Sequence, residues 1–254
     1  MLKNIAREHY TEAIRMAWPA VLESVFVSLA GIIDTFMVSS MGTYAVAATG
    51  LIIQPKFLSL SFFFAINVAV SALVARRLGQ NNRRNANQVL VTALMMIVLL
   101  CVVLTVVTVI FANPLIAICG SNADTHEGAV IYFRVIQFGM IFNVLSLVIN
   151  AAQRGAGNTK IAMITNVTSS IVNIIFNYLL IGGNFGFPKW GLFGAAFATV
   201  LGTVFAFAMS VHSLFQKDSY VSIPYILEEK IHLDFESFHA IQKLGANILF
   251  ENWA

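Results

Sequence analysis

Charge is what this sequence has least of. Only 11% of its 254 residues are Asp, Glu, Lys or Arg, where a soluble domain of ordinary composition uses about a quarter. A chain with 58% hydrophobic residues and a mean hydropathy of +0.80 cannot cover its own exterior with polar groups, so lipid is its expected solvent. Cysteine is nearly absent. Cys101 and Cys119 stand eighteen residues apart, with no spacing for zinc, haem or a redox pair, and read as small packing residues. Catalytic signatures are lacking too: there is no His-Glu-x-x-His, no Gly-rich phosphate loop and no Gly-x-Ser-x-Gly elbow. His9, His126, His212, His232 and His239 include no i,i+4 pair. An intramembrane enzyme therefore has no support, and neither a metal nor a cofactor is expected. Nothing resembles a repeated selectivity filter or a ring-forming charge motif, which argues against an ion channel.

What the sequence does have is long apolar runs. Stretches able to cross a bilayer, each of ~20 residues, fall at roughly 14–38, 51–75, 89–112, 129–151, 161–181 and 191–214, and a seventh begins near Leu244. None alternates like a barrel strand. With backbone polar groups unable to find water in lipid, the expected fold class is an all-α integral membrane protein, a six-helix transmembrane bundle with the start of a seventh helix. Pro19 and Pro55 fit near span starts, where a missing N–H costs little. The first twelve residues are polar and lack the plan of a cleaved export signal, so the first run is expected to stay as a span.

The formal charge of +3 is too small to imply nucleic acid; its distribution says more. Lys3, Arg7 and Arg15 precede span one; Arg76, Arg77, Arg83 and Arg84 follow span two; Arg154 and Lys160 follow span four; Lys217, Lys230 and Lys243 follow span six. Twelve of fifteen cations thus lie on one side, leaving Lys189 opposite and Lys56 and Arg134 near the other ends of spans two and four. By the positive-inside rule the N-terminus is expected in the cytoplasm, with the chain multi-pass in the cell's inner (plasma) membrane. Three regions follow: a six-helix lobe over 1–214, a charged cytoplasmic linker over 215–243, and the beginning of a second lobe over 244–254. A faint echo supports the last: Arg15 stands eight residues before Glu23, and Lys243 eight before Glu251, at an offset of 228 residues. Transporters are commonly built from two repeated halves.

Polar groups inside the spans need a reason, because a charge at mid-bilayer costs ~2.5–3.5 kcal/mol even on the lenient insertion scale. Glu23 and Asp34 are eleven residues apart in span one, three helical turns, so they share a face about 16 Å apart in height. Asp34 is the deeper and has no Lys or Arg within its own turn. A carboxylate so placed can exchange a proton or a sodium ion as its surroundings change. Span five carries Asn166, Asn173 and Asn177 on one face; span four carries Asn143, Ser146 and Asn150; span two carries Asn67 and Ser71. A single amide reads as an interhelical hydrogen bond. Several stripes beside an aspartate suggest a polar cavity and substrate pathway.

The blocks Asp34-Thr-Phe-Met-Val-Ser-Ser-Met-Gly and Ala45-Val-Ala-Ala-Thr-Gly resemble the first helix and loop of the multidrug and toxic compound extrusion (MATE) family. Ala72-Leu-Val-Ala-Arg-Arg-Leu-Gly-Gln, Gln153-Arg-Gly-Ala-Gly-Asn-Thr-Lys, and Asn173-Ile-Ile-Phe-Asn-Tyr-Leu-Leu-Ile-Gly-Gly leading into Gly191-Leu-Phe-Gly-Ala-Ala-Phe-Ala-Thr agree with it in order. The resemblance implies one lobe of a two-lobe, twelve-helix antiporter that exports organic cations and other amphipathic toxic compounds in exchange for protons or sodium ions. It implies cation coupling at Asp34, helped by the polar positions Asn173 and Asn177, and a second cation residue at Glu251. Several members have aspartate where this chain has Asn177, which leaves Asp34 as the lone carboxylate here. The implied partners are small cationic or amphipathic molecules, the bilayer and a missing C-terminal lobe, with no nucleic acid. Two alternatives stay open: a lipid-linked precursor flippase of the same superfamily, which would show a more cationic cavity, and a half-size protein working as a dimer.

Overall fold

A computed structural model describes residues 2–216 and 219–253, with side chains described over 17–216 and 219–248. Ten α-helices follow in order: α1 Leu2–Ser39, α2 Thr43–Leu51, α3 Ile53–Gly79, α4 Arg83–Ile110, α5 Ala112–Ile118, α6 His126–Gly155, α7 Thr159–Gly182, α8 Gly191–Ser213, α9 Ile223–Glu228 and α10 Phe235–Trp253. No strand occurs among the described residues. Among the described residues, six segments are long and apolar enough to cross a membrane: Ala17–Ser39, Thr43–Gly79, Arg83–Ile110, His126–Gly155, Thr159–Gly182 and Gly191–Ser213. These are the six expected runs, and most extend further because polar turns at their ends continue the helix. Pro19 stands near the start of the first span, as expected, but the helix α1 continues before that span, so its missing N–H falls inside a helix and not at a helix start. Pro55 is in the first turn of α3, where its missing donor is tolerated. The helix carrying Leu244 begins at Phe235 and packs on α3 and α4.

Local chemistry sets the helix ends. The Asn82 side chain accepts from the Asn85 amide at 3.1 Å and starts α4. Gly183, at φ 73°, ends α7 in the left-handed region, and a Cβ there would press on Lys189 and the Phe187 carbonyl at 3.1 Å. Gly155 has a different reason. It lets the end of α6 close on α3, where a Cβ would collide with the Ser71 carbonyl oxygen and sit 3.1 Å from Val74.

The apolar interior is split in two. One cluster, near the Arg/Lys-rich end, gathers Phe63, Val70, Val74, Leu90, Ile97, Met140 and Ile149 with Leu214, Val221 and Ile241. The other, toward the opposite end, gathers Val38, Ala45, Ile52, Ile116, Phe133, Ile136, Ile181 and Ala196. The seam between them is polar. Gln137, 1% exposed on α6, donates to Thr108 at 2.8 Å and Ser59 at 3.4 Å there. Along each chain segment Asp34, Lys56, Asn177 and Thr199 lie a turn or so from the second cluster, on the seam side of it.

Segment 219–234 is fastened to the basic end. The Arg83 guanidinium donates to the Ser219 and Tyr220 carbonyls at 2.9 and 3.0 Å and stands 4.3 Å over the Tyr225 ring. Asn87 donates to the Tyr220 carbonyl and accepts from the Ser222 amide. Arg77–Glu236 at 3.2 Å and Arg84–Glu229 at 3.9 Å add charge pairs.

Candidate functional site

Helices α1 and α7 run side by side in parallel, joined by two polar contacts in the same register. Asn166 donates to Glu23 at 2.5 Å, and Asn177 donates to Asp34; both pairs are separated by 143 residues. The eleven-residue spacing of the two carboxylates in α1 thus meets the same spacing in α7. The shared face expected for Glu23 and Asp34 is the face that packs on α7.

The two contacts differ in chemistry. Glu23 lies toward the basic end, where Arg154 approaches it at 3.9 Å, and this carboxylate has a protein cation beside it. Glu23→Gln keeps an acceptor for Asn166 and is expected to change thermal stability in detergent by less than ~1 kcal/mol. Glu23→Ala strands the Asn166 amide and is expected to cost about 1–2 kcal/mol. Equal melting temperatures for the two variants would show that the amide contact carries no stability.

Asp34 sits at one end of a longer network. Asn177 is fully buried and also donates to Asn173 at 3.3 Å; Asn173 donates to Thr199 at 3.1 Å; Thr199 donates to the Ala195 carbonyl at 3.0 Å. Tyr132 of α6 is buried in the second apolar cluster. At Thr199 lies a cavity of about 20 Å³, room for about one water, with Lys56, Asn143 and Thr203 as its other polar lining and Ile136, Met140 and Val200 as its apolar walls. Asp34 therefore stands at one end of a polar chain that runs from α1 through α7 to Thr199 of α8, and Thr199 lines a cavity together with Lys56 of α3. One atom is left out: Asn177 Oδ1 is buried and has no hydrogen-bond partner.

The remaining amides go elsewhere. Asn150 accepts from Ser210 at 3.1 Å, and Ser210 pairs with Ser146 at 2.8 Å, which welds α6 to α8 nearer the basic end. The span-four stripe is thus divided, with Asn143 on the Lys56 cavity and Ser146 and Asn150 in helix packing. Asn67 is buried in α3 with both amide atoms unpartnered and joins neither group. Glu251 is on α10, and its side chain lies outside the described residues. Sequence reading did not single out Lys56, Gln137 or Thr199 for the site. The signal for Lys56 was present: a lysine three residues into a span, beyond the kink at Ile52, is not at a membrane edge if α2 and α3 form one crossing of 37 residues.

The MatE family profile matches residues 19–179, from the start of span one to the end of the asparagine-bearing face of α7. The chain belongs to the MatE family. Among curated relatives, the probable multidrug resistance protein YoeA of Bacillus subtilis is 28% identical over 228 residues, 89% of this MatE chain and 49% of that protein. The probable multidrug resistance protein NorM of Thermotoga maritima is 28% identical over 210 residues, 82% of this chain and 45% of its own. A solved outward-facing multidrug resistance MATE transporter of the MOP superfamily superposes with a TM-score of 0.85 at 26% identity, covering 94% of this chain and 52% of that one. The MatE chain spans about half the length of the relatives it matches.

Proposed function

We propose that this chain forms the first of two six-helix lobes of a secondary antiporter that exports organic cations and amphipathic toxic compounds in exchange for protons or sodium ions. It lies in the plasma membrane with its N-terminus and basic end in the cytoplasm, in keeping with twelve of fifteen cations on one side. The six-helix lobe over 1–214, the linker over 215–243 and the second-lobe start over 244–254 are part of this reading. A central cleft needs both lobes, so the second is supplied by the same reading frame or by another polypeptide.

The observation that carries the reading is Asp34, an intramembrane carboxylate held by one buried amide that joins α1 to α7. When Asp34 takes up a proton or sodium ion, its pull on Asn177 weakens and the contact of α1 with α7 loosens at that level. The Glu23–Asn166 contact eleven residues away remains as a pivot. Loss of the negative charge also weakens the hold on a cationic substrate, so ion entry and substrate release are linked. Glu251 is the counterpart contributed from the start of the second lobe.

The test is efflux of a fluorescent organic cation from vesicles holding the two-lobe assembly, driven by a pH gradient or by a sodium gradient. Export driven by either gradient is expected. Equal efflux with and without both gradients, or transport of a lipid-linked anion in place of the cation, overturns the reading.

A further inference from the structure

The α7–α8 pair carries a groove toward the basic end of the bundle that the antiport reading does not use. We propose that this groove binds one anionic phospholipid from the leaflet at that end, with an acyl chain along its floor and the phosphate at its mouth. The proposal needs the chain to span a bilayer but not to transport, so it stands or falls apart from that reading.

Three observations carry it. First, the groove has a volume of about 320 Å³ and changes character along its length. Ile164 of α7 and Phe205 and Ala208 of α8 line its inner part. His212, one turn beyond Ala208, and Gln216, just after α8, line the end nearest the basic side. Second, the two buried hydroxyls in the wall are already satisfied within their own helix. Thr165 donates to the Ile161 carbonyl at 2.7 Å and Ser213 to the Ser210 carbonyl at 2.6 Å. A polar ligand would find no free donor along this wall, whereas a hydrocarbon chain asks for none.

Third, a free cation stands at the mouth. Lys160 is exposed, one turn before Ile164 on the same face of α7. Arg77, Arg84 and Arg154 have carboxylate partners, but Lys160 has none among the described residues. Its ammonium, a ring N–H of His212 and the Gln216 amide are donors suited to phosphate oxygens. Charge complementarity then selects the lipid. A zwitterionic headgroup brings its own cation to the phosphate, and an anionic one leaves that charge to Lys160. The surroundings leave the groove to the bilayer: Ile164 and Phe205 are 47% and 46% exposed, and α10, which leads toward the second lobe, packs on α3 and α4.

The test is photolabelling of the purified 254-residue chain in phosphatidylcholine nanodiscs that carry a trace of phospholipid with a diazirine on its acyl chain. The probe's headgroup is either glycerol or choline, and labelled positions are read by peptide mass spectrometry. The phosphatidylglycerol probe is expected to label 161–165 and 205–216 saturably, about fivefold more than the phosphatidylcholine probe, the weight of one cation beside an anionic headgroup. Lys160→Gln is expected to bring the two probes level. Ala208→Phe, which fills the floor from an exposed helix position, is expected to remove labelling of these peptides by both probes while labels elsewhere on the chain persist. Equal labelling of the wild-type groove by the two probes overturns the proposal and leaves ordinary boundary lipid, as does a label unchanged in Ala208→Phe or a headgroup preference that survives Lys160→Gln. Loss of the label in the two-lobe assembly, or in a crosslinked dimer of the chain, overturns it in favour of protein covering the groove. An unlabelled groove in an assembly with gradient-driven efflux removes this site alone, and a labelled groove in an assembly without efflux removes the antiport reading alone.

Discussion

Asp34→Asn is expected to abolish gradient-driven efflux in the two-lobe assembly while leaving insertion and folding intact. The amide side chain still offers an oxygen to Asn177, so the α1–α7 contact keeps its hydrogen bond. The expected change in stability is therefore small, within ~1 kcal/mol for one neutral hydrogen bond replacing a charge-assisted one. What is lost is the ability to gain and release a cation, because an amide does not titrate in the working range. The side chain bonded to Asp34 is the Asn177 amide, which cannot take over that exchange. The measurement is the difference between efflux with and without the gradient, expected to fall to the level of empty vesicles. An Asp34→Asn assembly with the wild-type gradient response shows that coupling lies elsewhere, with Glu251 the next residue to change. Retained uncoupled leakage of substrate, with no gradient response, is the pattern a coupling role requires.

Much of this arrangement was legible in the amino-acid order, for a physical reason. A bilayer demands runs of ~20 apolar residues with internally satisfied backbones, so six spans could be read from hydropathy alone, and a carboxylate inside one of them had to be explained. Helical periodicity then placed Asn166, Asn173 and Asn177 on one face. Periodicity assigns residues to faces, however, and does not say what a face meets. The α7 stripe meets the two carboxylates of α1, whereas the stripe of α6 divides: Asn143 turns to the cavity of Lys56, and Ser146 and Asn150 turn to Ser210.

Lys56 was the hardest to read correctly. A lysine near a span end is ordinarily a snorkelling side chain at the interface. Here α2 and α3 together form a 37-residue crossing with a break at Ile52, which places the fourth residue of α3 inside the bundle and not at its rim. Thr199 was invisible for another reason. Threonine bonding back to its own helix is common in spans, and only the fold shows that it also accepts from Asn173 of α7.

The second large effect is expected at Arg83, which holds the segment after α8 against the basic end. Arg83→Met removes a guanidinium that donates to the Ser219 and Tyr220 carbonyls and to the Ser222 hydroxyl and lies over the Tyr225 ring. Methionine preserves the apolar stem but strands these acceptors, a local loss of about 2–3 kcal/mol after allowance for partial exposure. The bonds of Asn87 to Tyr220 and Ser222 remain, so the segment opens more often without leaving altogether. Limited proteolysis within 219–234 is expected to quicken by about 30-fold or more, the factor that 2 kcal/mol represents. Arg83→Lys, which supplies one point donor in place of a planar fork, is expected to fall between the two. The next fastening, at the start of α10, separates from Arg83 by its pH response. The Ser237 hydroxyl and then the Ser237 amide hold the Asp234 carboxyl below the usual range as it caps that helix. A depressed carboxyl contributes its full stability above the ordinary carboxylate pKa and loses it only as pH falls through the lower, folded value. At neutral pH the Asp234 cap is therefore constant, and faster cleavage there reports the loss of Arg83 alone. Cleavage of Arg83→Met at the wild-type rate would mean that Asn87 and the Arg77–Glu236 and Arg84–Glu229 pairs hold the segment by themselves.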